Sequence, residues 1–246
     1  MTIHLKSLPG RFRKDETGTT MVEFAVVIAL FLLILFAILD FGRLGYNWVS
    51  TEKAMQRATR IASVRPPICA NIPLHHRREE GTSAEYPAGT LCSANNGICQ
   101  QVNRSCRLSE PNAASLEAQA AAVEIFDLIE PLLPQGATSA NVVLRYNYDR
   151  NLGFVGGPYV PNITAELVGA QNVCGTQDPV EGDEDAPRYP LFCFEFMTPL
   201  SALASTAGAA NADGIPTGDG TNAARIPFPD ISVTLPAEDM NLGTRG

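Results

Sequence analysis

The sequence predicts an α+β protein in which a long N-terminal helix packs on a small antiparallel sheet together with a second helix. Three features predict this class: an unbroken apolar run at residues 24–39, a helical amphipathic pattern directly after it, and short strand-like segments between turn residues in the C-terminal half. Because 45% of the 246 residues are hydrophobic, the chain has enough apolar side chains for a core and is neither disordered nor collagen-like.

Charge is distributed unevenly along the chain. Residues 1–18 form a basic leader with four basic and two acidic side chains, whereas residues 40–246 hold 14 basic and 23 acidic ones. Nucleic-acid binding needs clustered Lys and Arg to contact phosphates, so the acidic body excludes a nucleic acid as the expected partner.

The apolar run predicts a membrane-spanning helix. The 21 residues of 19–39 span about 31 Å as a helix, which matches the hydrocarbon thickness of a bilayer. A secretory signal has a shorter apolar stretch of about 7–15 residues and a small-x-small cleavage site, which Leu39-Asp40-Phe41 does not provide. We therefore expect an anchor in the lipid bilayer, with a single span.

Glu23 is unusual because it lies at the start of this span. Either the span begins at Phe24 and the carboxylate reaches the water of the headgroup region, or the carboxylate lies inside the hydrocarbon edge and needs a cationic partner.

The setting of Glu23 favours the second interpretation. Residues 18–24 read Gly-Thr-Thr-Met-Val-Glu-Phe, follow a basic leader and open an apolar helix. This pattern resembles a type IV prepilin cleavage site. The longer stretch through Phe41-Gly42-Arg43-Leu44 to Ala62 resembles the TadE-like proteins, which are minor pilin-like components of the tight-adherence (Flp) pilus machinery.

The resemblance implies specific roles for four residues. A prepilin peptidase would cut between Gly18 and Thr19, Glu23 would pair with the new N-terminal amine of a neighbouring subunit, and Phe24 would take part in helix assembly. A new ammonium on Thr19 lies about 6 Å along the helix axis from Glu23, and a helix N-terminus favours a carboxylate. The implied partners are other pilin-like subunits, the peptidase and an inner-membrane assembly platform.

Beyond the membrane the helix is expected to continue to residue 64. Apolar side chains recur at spacings of three, four and seven residues between Phe41 and Ala62, which is typical of an amphipathic helix. Pro66 and Pro67 then end it. The alternative for this segment is a stalk that faces solvent or a coiled-coil partner.

Residues 65–110 are rich in Cys, Pro, Asn and Gly, and we expect loops ordered by disulfides. All cysteines follow the span, which predicts an oxidising compartment: a bacterial inner-membrane protein with a cytoplasmic N-terminus and a periplasmic body. The six are Cys69, Cys92, Cys99, Cys106, Cys174 and Cys193. Fifteen pairings are compatible with the sequence alone.

No metal or cofactor site is predicted. The chain has no C-x-x-C pair, so a zinc ribbon is not expected, and we interpret His75-His76-Arg77-Arg78 as a solvated polar turn. Acidic residues 181–185 lack the ligand spacing of an EF-hand and predict an exposed loop.

Residues 111–246 are expected to form the main part of the body. An Ala- and Glu-rich segment predicts a second helix over residues 112–130, ended by Pro131. The predicted strands are Val142–Tyr148, Ile163–Val168, Leu191–Met197 and Ile231–Leu235. Of the cysteine pairings we favour Cys174 with Cys193, because this bridge closes an acidic loop too polar to bury itself, and we expect the other four to pair among themselves.

Together these features favour a pilin-like assembly protein that acts in pilus biogenesis, adhesion and surface colonisation, with no catalytic residues. The chain has no Gly-x-Ser-x-Gly, P-loop or His-Glu-x-x-His motif. Two alternatives stay open: an unprocessed periplasmic scaffold or adhesin whose helix is only an anchor, and, less favoured, a membrane-tethered hydrolase.

Overall fold

The computed structural model describes residues 17–81, 86–169, 174, 188–196, 225–238 and 240. It confirms the α+β class, with a long N-terminal helix, a second helix and a small antiparallel sheet. The helices are α1 (Thr17–Ala62) and α2 (Leu116–Ile129), and the strands are β1 (Arg104–Arg107), β2 (Val142–Asn147), β3 (Asn162–Leu167), β4 (Cys193–Glu195), β5 (Arg225–Pro227) and β6 (Ser232–Pro236).

Helix α1 is continuous over 46 residues and is about 69 Å long. The side chains of its first half are not part of the hydrophobic core. From Asp40 onward one face of the helix is buried against the body. That face carries small side chains at intervals of four residues, Ala54, Ala58 and Ala62, all 0–1% exposed. Small residues allow the helix axis to approach the sheet closely, so α1 contacts β3, β6 and α2.

The main sheet has the strand order β1-β2-β3-β6, and every pair is antiparallel. Leu144 pairs with Ala165 and Tyr146 with Ile163, and these four side chains belong to the core beneath α1. The buried Tyr146 hydroxyl accepts a hydrogen bond from the backbone N–H of Ile68 at 3.2 Å, which ties the segment after α1 to the sheet.

The opposite face of the sheet is polar but covered. Arg145 Nε donates to Glu166 Oε1 at 2.7 Å, and both side chains are at least 93% buried. The Tyr189 ring lies between two cations, with the guanidinium carbon of Arg145 at 4.9 Å and that of Arg107 at 5.2 Å. Because side chains alternate along a strand, these charged residues lie on the face of the sheet opposite the core. The ion pair and the contacts with the Tyr189 ring stabilise them there.

Element boundaries differ from the sequence predictions, and two strands, β1 and β5, were not predicted. Strand β1 lies in the region expected to be loops only, because pairing with β2 stabilises a four-residue segment that has no strand pattern of its own. Helix α2 begins after Ser115, whose Oγ accepts from the N–H of Ala118 at 3.1 Å and caps the helix, so residues 112–115 precede it. The predicted end of the third strand, Met197, lies outside the described residues.

All six cysteines are paired in the structure: Cys69–Cys106, Cys92–Cys99 and Cys174–Cys193. The first bridge joins the segment that follows α1 to β1. The third is the pair favoured from the sequence, although the acidic residues 181–185 between its cysteines lie outside the described residues.

Candidate assembly site on the N-terminal helix

The four residues that the sequence singled out for processing and assembly lie in the first two turns of α1. Gly18 and Thr19 already belong to the helix, which begins at Thr17. Glu23 follows Thr19 by four residues, so the two lie on successive turns of the same face. Thr19, Glu23 and Phe24 are exposed, Phe24 by 64%.

Within the described residues, the helix around these positions has no protein neighbour for its apolar side chains. Every residue from Thr19 to Leu35 is exposed, although this stretch contains large side chains such as Phe31 (61%) and Ile34 (57%). In the described part of the chain, α1 is the one helix that is long and apolar enough to cross a membrane. A helix that is apolar on all sides is stable in lipid or between other helices, and the described body supplies neither for this stretch or for Glu23.

Glu23 has no ion pair within the described residues. A charged side chain at the centre of a membrane helix costs about 2.5–3.5 kcal/mol on insertion scales, and less towards the edge. A cation supplied by a neighbouring helix N-terminus would compensate this cost, which is the chemistry that the arrangement permits.

Where α1 leaves the apolar stretch, Asp40 is buried and Arg43 contacts the body. Asp40 directly follows the apolar run and is only 3% exposed. Arg43 Nη2 donates to the backbone oxygen of Glu195 at 2.8 Å, and its guanidinium carbon lies 4.7 Å from the centre of the Phe194 ring. Neither the burial of Asp40 nor the contacts of Arg43 were predicted from the sequence, although an acid directly after sixteen apolar residues was a signal for the first.

Arg43 also lines a cavity of about 230 Å³ between α1, the turn at Pro134–Gly136 and strand β4. Among the described residues, the buried nitrogen Nη1 has no hydrogen-bond partner. The remaining contacts of Arg43 hold β4 against the base of α1. The junction therefore ties β4 to α1 where the apolar stretch ends.

A second cluster, far along the chain from the helix, surrounds the Cys92–Cys99 bridge. Ligand atoms of His76, Cys92 and Cys99 lie within 4.8 Å of one another, and all three residues are buried. The two sulfurs are bonded to each other, so in this form they do not act as thiolate metal ligands.

The polar-turn interpretation is wrong for His76, which is buried, and for its neighbour only the exposure agrees, because His75 pairs with Pro158 in an isolated β-bridge. His75 is exposed, but His76 is 2% exposed, and its Nε2 accepts a hydrogen bond from the N–H of Val160 at 3.3 Å. Gly153 permits this packing, because a Cβ there would lie 2.1 Å from His76 Nε2. Burial lowers the pKa of His76, which favours the neutral ring that accepts this hydrogen bond.

Comparison with curated proteins and with solved structures gave no match for the chain. A family model does match its N-terminal part. The matched residues 18–60 start at the predicted cleavage glycine and include Glu23, the apolar stretch and most of the extramembrane half of α1. The model is that of the TadE-like proteins, so the resemblance predicted from the sequence is confirmed over this segment, and the N-terminal helix of the chain is TadE-like.

Proposed function

We propose that the chain is a minor pilin-like component of a tight-adherence (Flp) pilus. The TadE-like segment associates it with this pilus machinery and with other pilus components. The observation that carries the proposal is an acidic residue, Glu23, on the exposed first turns of an apolar helix that has no partner within the described chain. This arrangement is suited to assembly through the helix and offers no catalytic group.

In this proposal a prepilin peptidase cuts after Gly18, and Thr19 becomes the N-terminal residue. The new ammonium and the first turns of the helix provide positive charge close to where the span enters the bilayer. Glu23 then pairs with the ammonium of a neighbouring pilin. Within one chain, Thr19 precedes Glu23 by four residues, so a small axial offset between neighbouring helices brings the two groups together.

The body is proposed to lie in the periplasm, where the protein contributes to pilus biogenesis and adhesion. Three disulfides support an oxidising compartment. The unbroken helix α1, whose second half is buried against the body, supports a fixed angle between the span and the body, as an assembled subunit requires.

Processing is tested by the mass of the full-length protein purified from the membrane of a cell that contains the pilus machinery. A mature chain that begins at Thr19 is the expected result. If the protein keeps its leader, pilin-type processing is excluded and the unprocessed scaffold or adhesin becomes the better assignment.

The role of Glu23 is tested with Glu23→Gln, which removes the charge and keeps the side-chain volume. We expect membrane insertion to be unchanged and co-purification with other pilus components to fall at least about tenfold, because the neighbouring ammonium loses its counter-charge. Glu52→Gln is the matched control, since Glu52 is an exposed acid on the extramembrane half of the same helix. Equal co-purification of the two variants would contradict the pairing role.

A further inference from the structure

Two exposed helix faces of the body carry charges of opposite sign. The outer ridge of α1 consists of residues spaced by four, three and four positions: Val49, Lys53, Gln56 and Arg60. The outer ridge of α2 has the same spacing: Leu116, Ala120, Val123 and Asp127. All eight residues are exposed, and ridges of this type pack into the grooves of another helix.

The charges on the two ridges have opposite signs. Lys53 and Arg60 make the α1 ridge basic on a body that is otherwise strongly acidic. Helix α2 contains three acidic residues and no basic one, and the acidic Glu130 directly follows it. Within the described residues, Lys53, Arg60, Asp127 and Glu130 form no ion pair.

The α2 ridge is also more apolar than an ordinary surface. Leu116 is 82% exposed, Val123 60% and Leu128 41%. Leu128 lies between the acidic Asp127 and Glu130 in the sequence, and an exposed apolar side chain with an acidic edge fits a basic helix face.

The charged ends of the two ridges lie at similar heights above the membrane. Arg57 donates to the backbone oxygen of Leu128 at 3.2 Å, and Arg65, which follows α1, pairs with Glu124 at 2.8 Å, so the two helices run antiparallel and the C-terminal end of α2 lies level with Arg57. Two copies anchored by the same span in one bilayer therefore present Lys53 and Arg60 of α1 and Asp127 and Glu130 of α2 at overlapping heights.

We infer that the α1 ridge of one copy docks on the α2 ridge of a second copy of this chain, with Lys53 and Arg60 facing Asp127 and Glu130. The contact uses two different surfaces of the protein, so it is heterologous and extends from copy to copy in a ring or an open helical array. This inference rests on the proposed function, since it assigns the partner of the extramembrane half of the assembly helix.

The test measures energy transfer between full-length chains carrying a donor or an acceptor at the C-terminus, reconstituted together in liposomes. We expect transfer for the unchanged protein, and weaker transfer at higher salt because exposed charges are screened. Lys53→Glu with Arg60→Glu should weaken association at least about tenfold, and so should Asp127→Lys with Glu130→Lys.

Combining all four substitutions exchanges the charges between the ridges and should restore association to within about threefold of the unchanged protein. Arg77→Glu with Arg78→Glu is the control for net charge, because both arginines are exposed on another part of the body and their reversal should leave transfer unchanged. Circular dichroism checks that each variant is folded.

Several outcomes would overturn the inference: no transfer for the unchanged protein, transfer that ignores both charge reversals, failure of the combined variant to recover, or association that occurs only when another pilin is added. These outcomes leave processing at Gly18 and pairing by Glu23 untouched, since leader removal and the Glu23→Gln variant are measured separately. Conversely, the leader could be found uncleaved while energy transfer still depends on the ridge charges. That result would contradict the proposed function and leave the inference about the ridges intact.

Discussion

His76 shows how tertiary packing changes the chemistry of one residue. In the sequence it is one of two adjacent histidines followed by two arginines, which indicates a solvated turn. In the structure its ring lies 5.0 Å from that of Tyr159 and 6.3 Å from that of Tyr148, beside the Cys92–Cys99 bridge. The signal that could have separated it from His75 is absent from the local sequence, because Gly153 and Val160 lie more than 70 positions away.

Burial of His76 predicts a pH dependence of stability. Its pKa is lowered in the folded state, so the unfolded chain binds a proton more readily and stability falls as the pH decreases below about 6.5, the ordinary histidine value. We expect His76→Gln to reduce the difference in melting temperature between pH 7.5 and pH 5.5.

His75→Gln is the matched control for this measurement, because His75 is exposed and its neighbour in sequence. It should keep the pH dependence of the unchanged protein. If His76→Gln and His75→Gln have the same pH profile as the unchanged protein, another group is responsible for the acid sensitivity.

At the scale of elements, the two halves of α1 have different surroundings. Its first half is exposed on all sides and its second half buries one face, but a single backbone helix connects them without a break. The apolar run and the amphipathic spacing predicted both halves from the sequence. The contacts of the second half with β3, β6 and α2 were not predictable, because they depend on segments about 60 to 180 residues away.

The close packing of α1 on the sheet predicts the effect of a larger side chain at Ala58. This residue is fully buried in the core, so Ala58→Leu should destabilise the body by about 1–3 kcal/mol through overpacking. Gln56→Leu, on the exposed face of the same helix, should change stability by no more than about 0.5 kcal/mol. Chemical unfolding of the detergent-solubilised protein measures both, and equal losses would show that α1 does not pack on the sheet as described.

At the scale of the whole molecule, disulfides and long-range pairing hold a body that has many loops. Cys69–Cys106 closes a separation of 37 residues and joins the end of α1 to an edge strand, whereas Cys92–Cys99 closes only seven and stabilises a separate small cluster with Ile98 and Val155.

These loop lengths predict different costs of removing each bridge. Restriction of the unfolded chain gives about 4 kcal/mol for the longer loop and about 2.5 kcal/mol for the shorter one. We therefore expect Cys69→Ala with Cys106→Ala to lower the melting temperature more than Cys92→Ala with Cys99→Ala. The opposite order in thermal unfolding followed by circular dichroism would mean that packing around the shorter bridge outweighs chain entropy.

The sequence by itself determined the span, the extent of α1, the second helix and four of the six described strands, because each of these depends on the local spacing of apolar and turn-forming residues. It also located Glu23, whose position relative to Gly18 and the apolar run is a local pattern within the segment that the family model matches.

Only the tertiary structure decided the position of β1, the burial of His76, the junction at Asp40 and Arg43, and the relative heights of α1 and α2. Each of these depends on groups that are distant in sequence and close in space. Pairing with β2 forms β1, Gly153 leaves room for His76, and strand β4 binds Arg43. A local pattern cannot encode such contacts, because their free energy arises only when the segments meet in the folded chain.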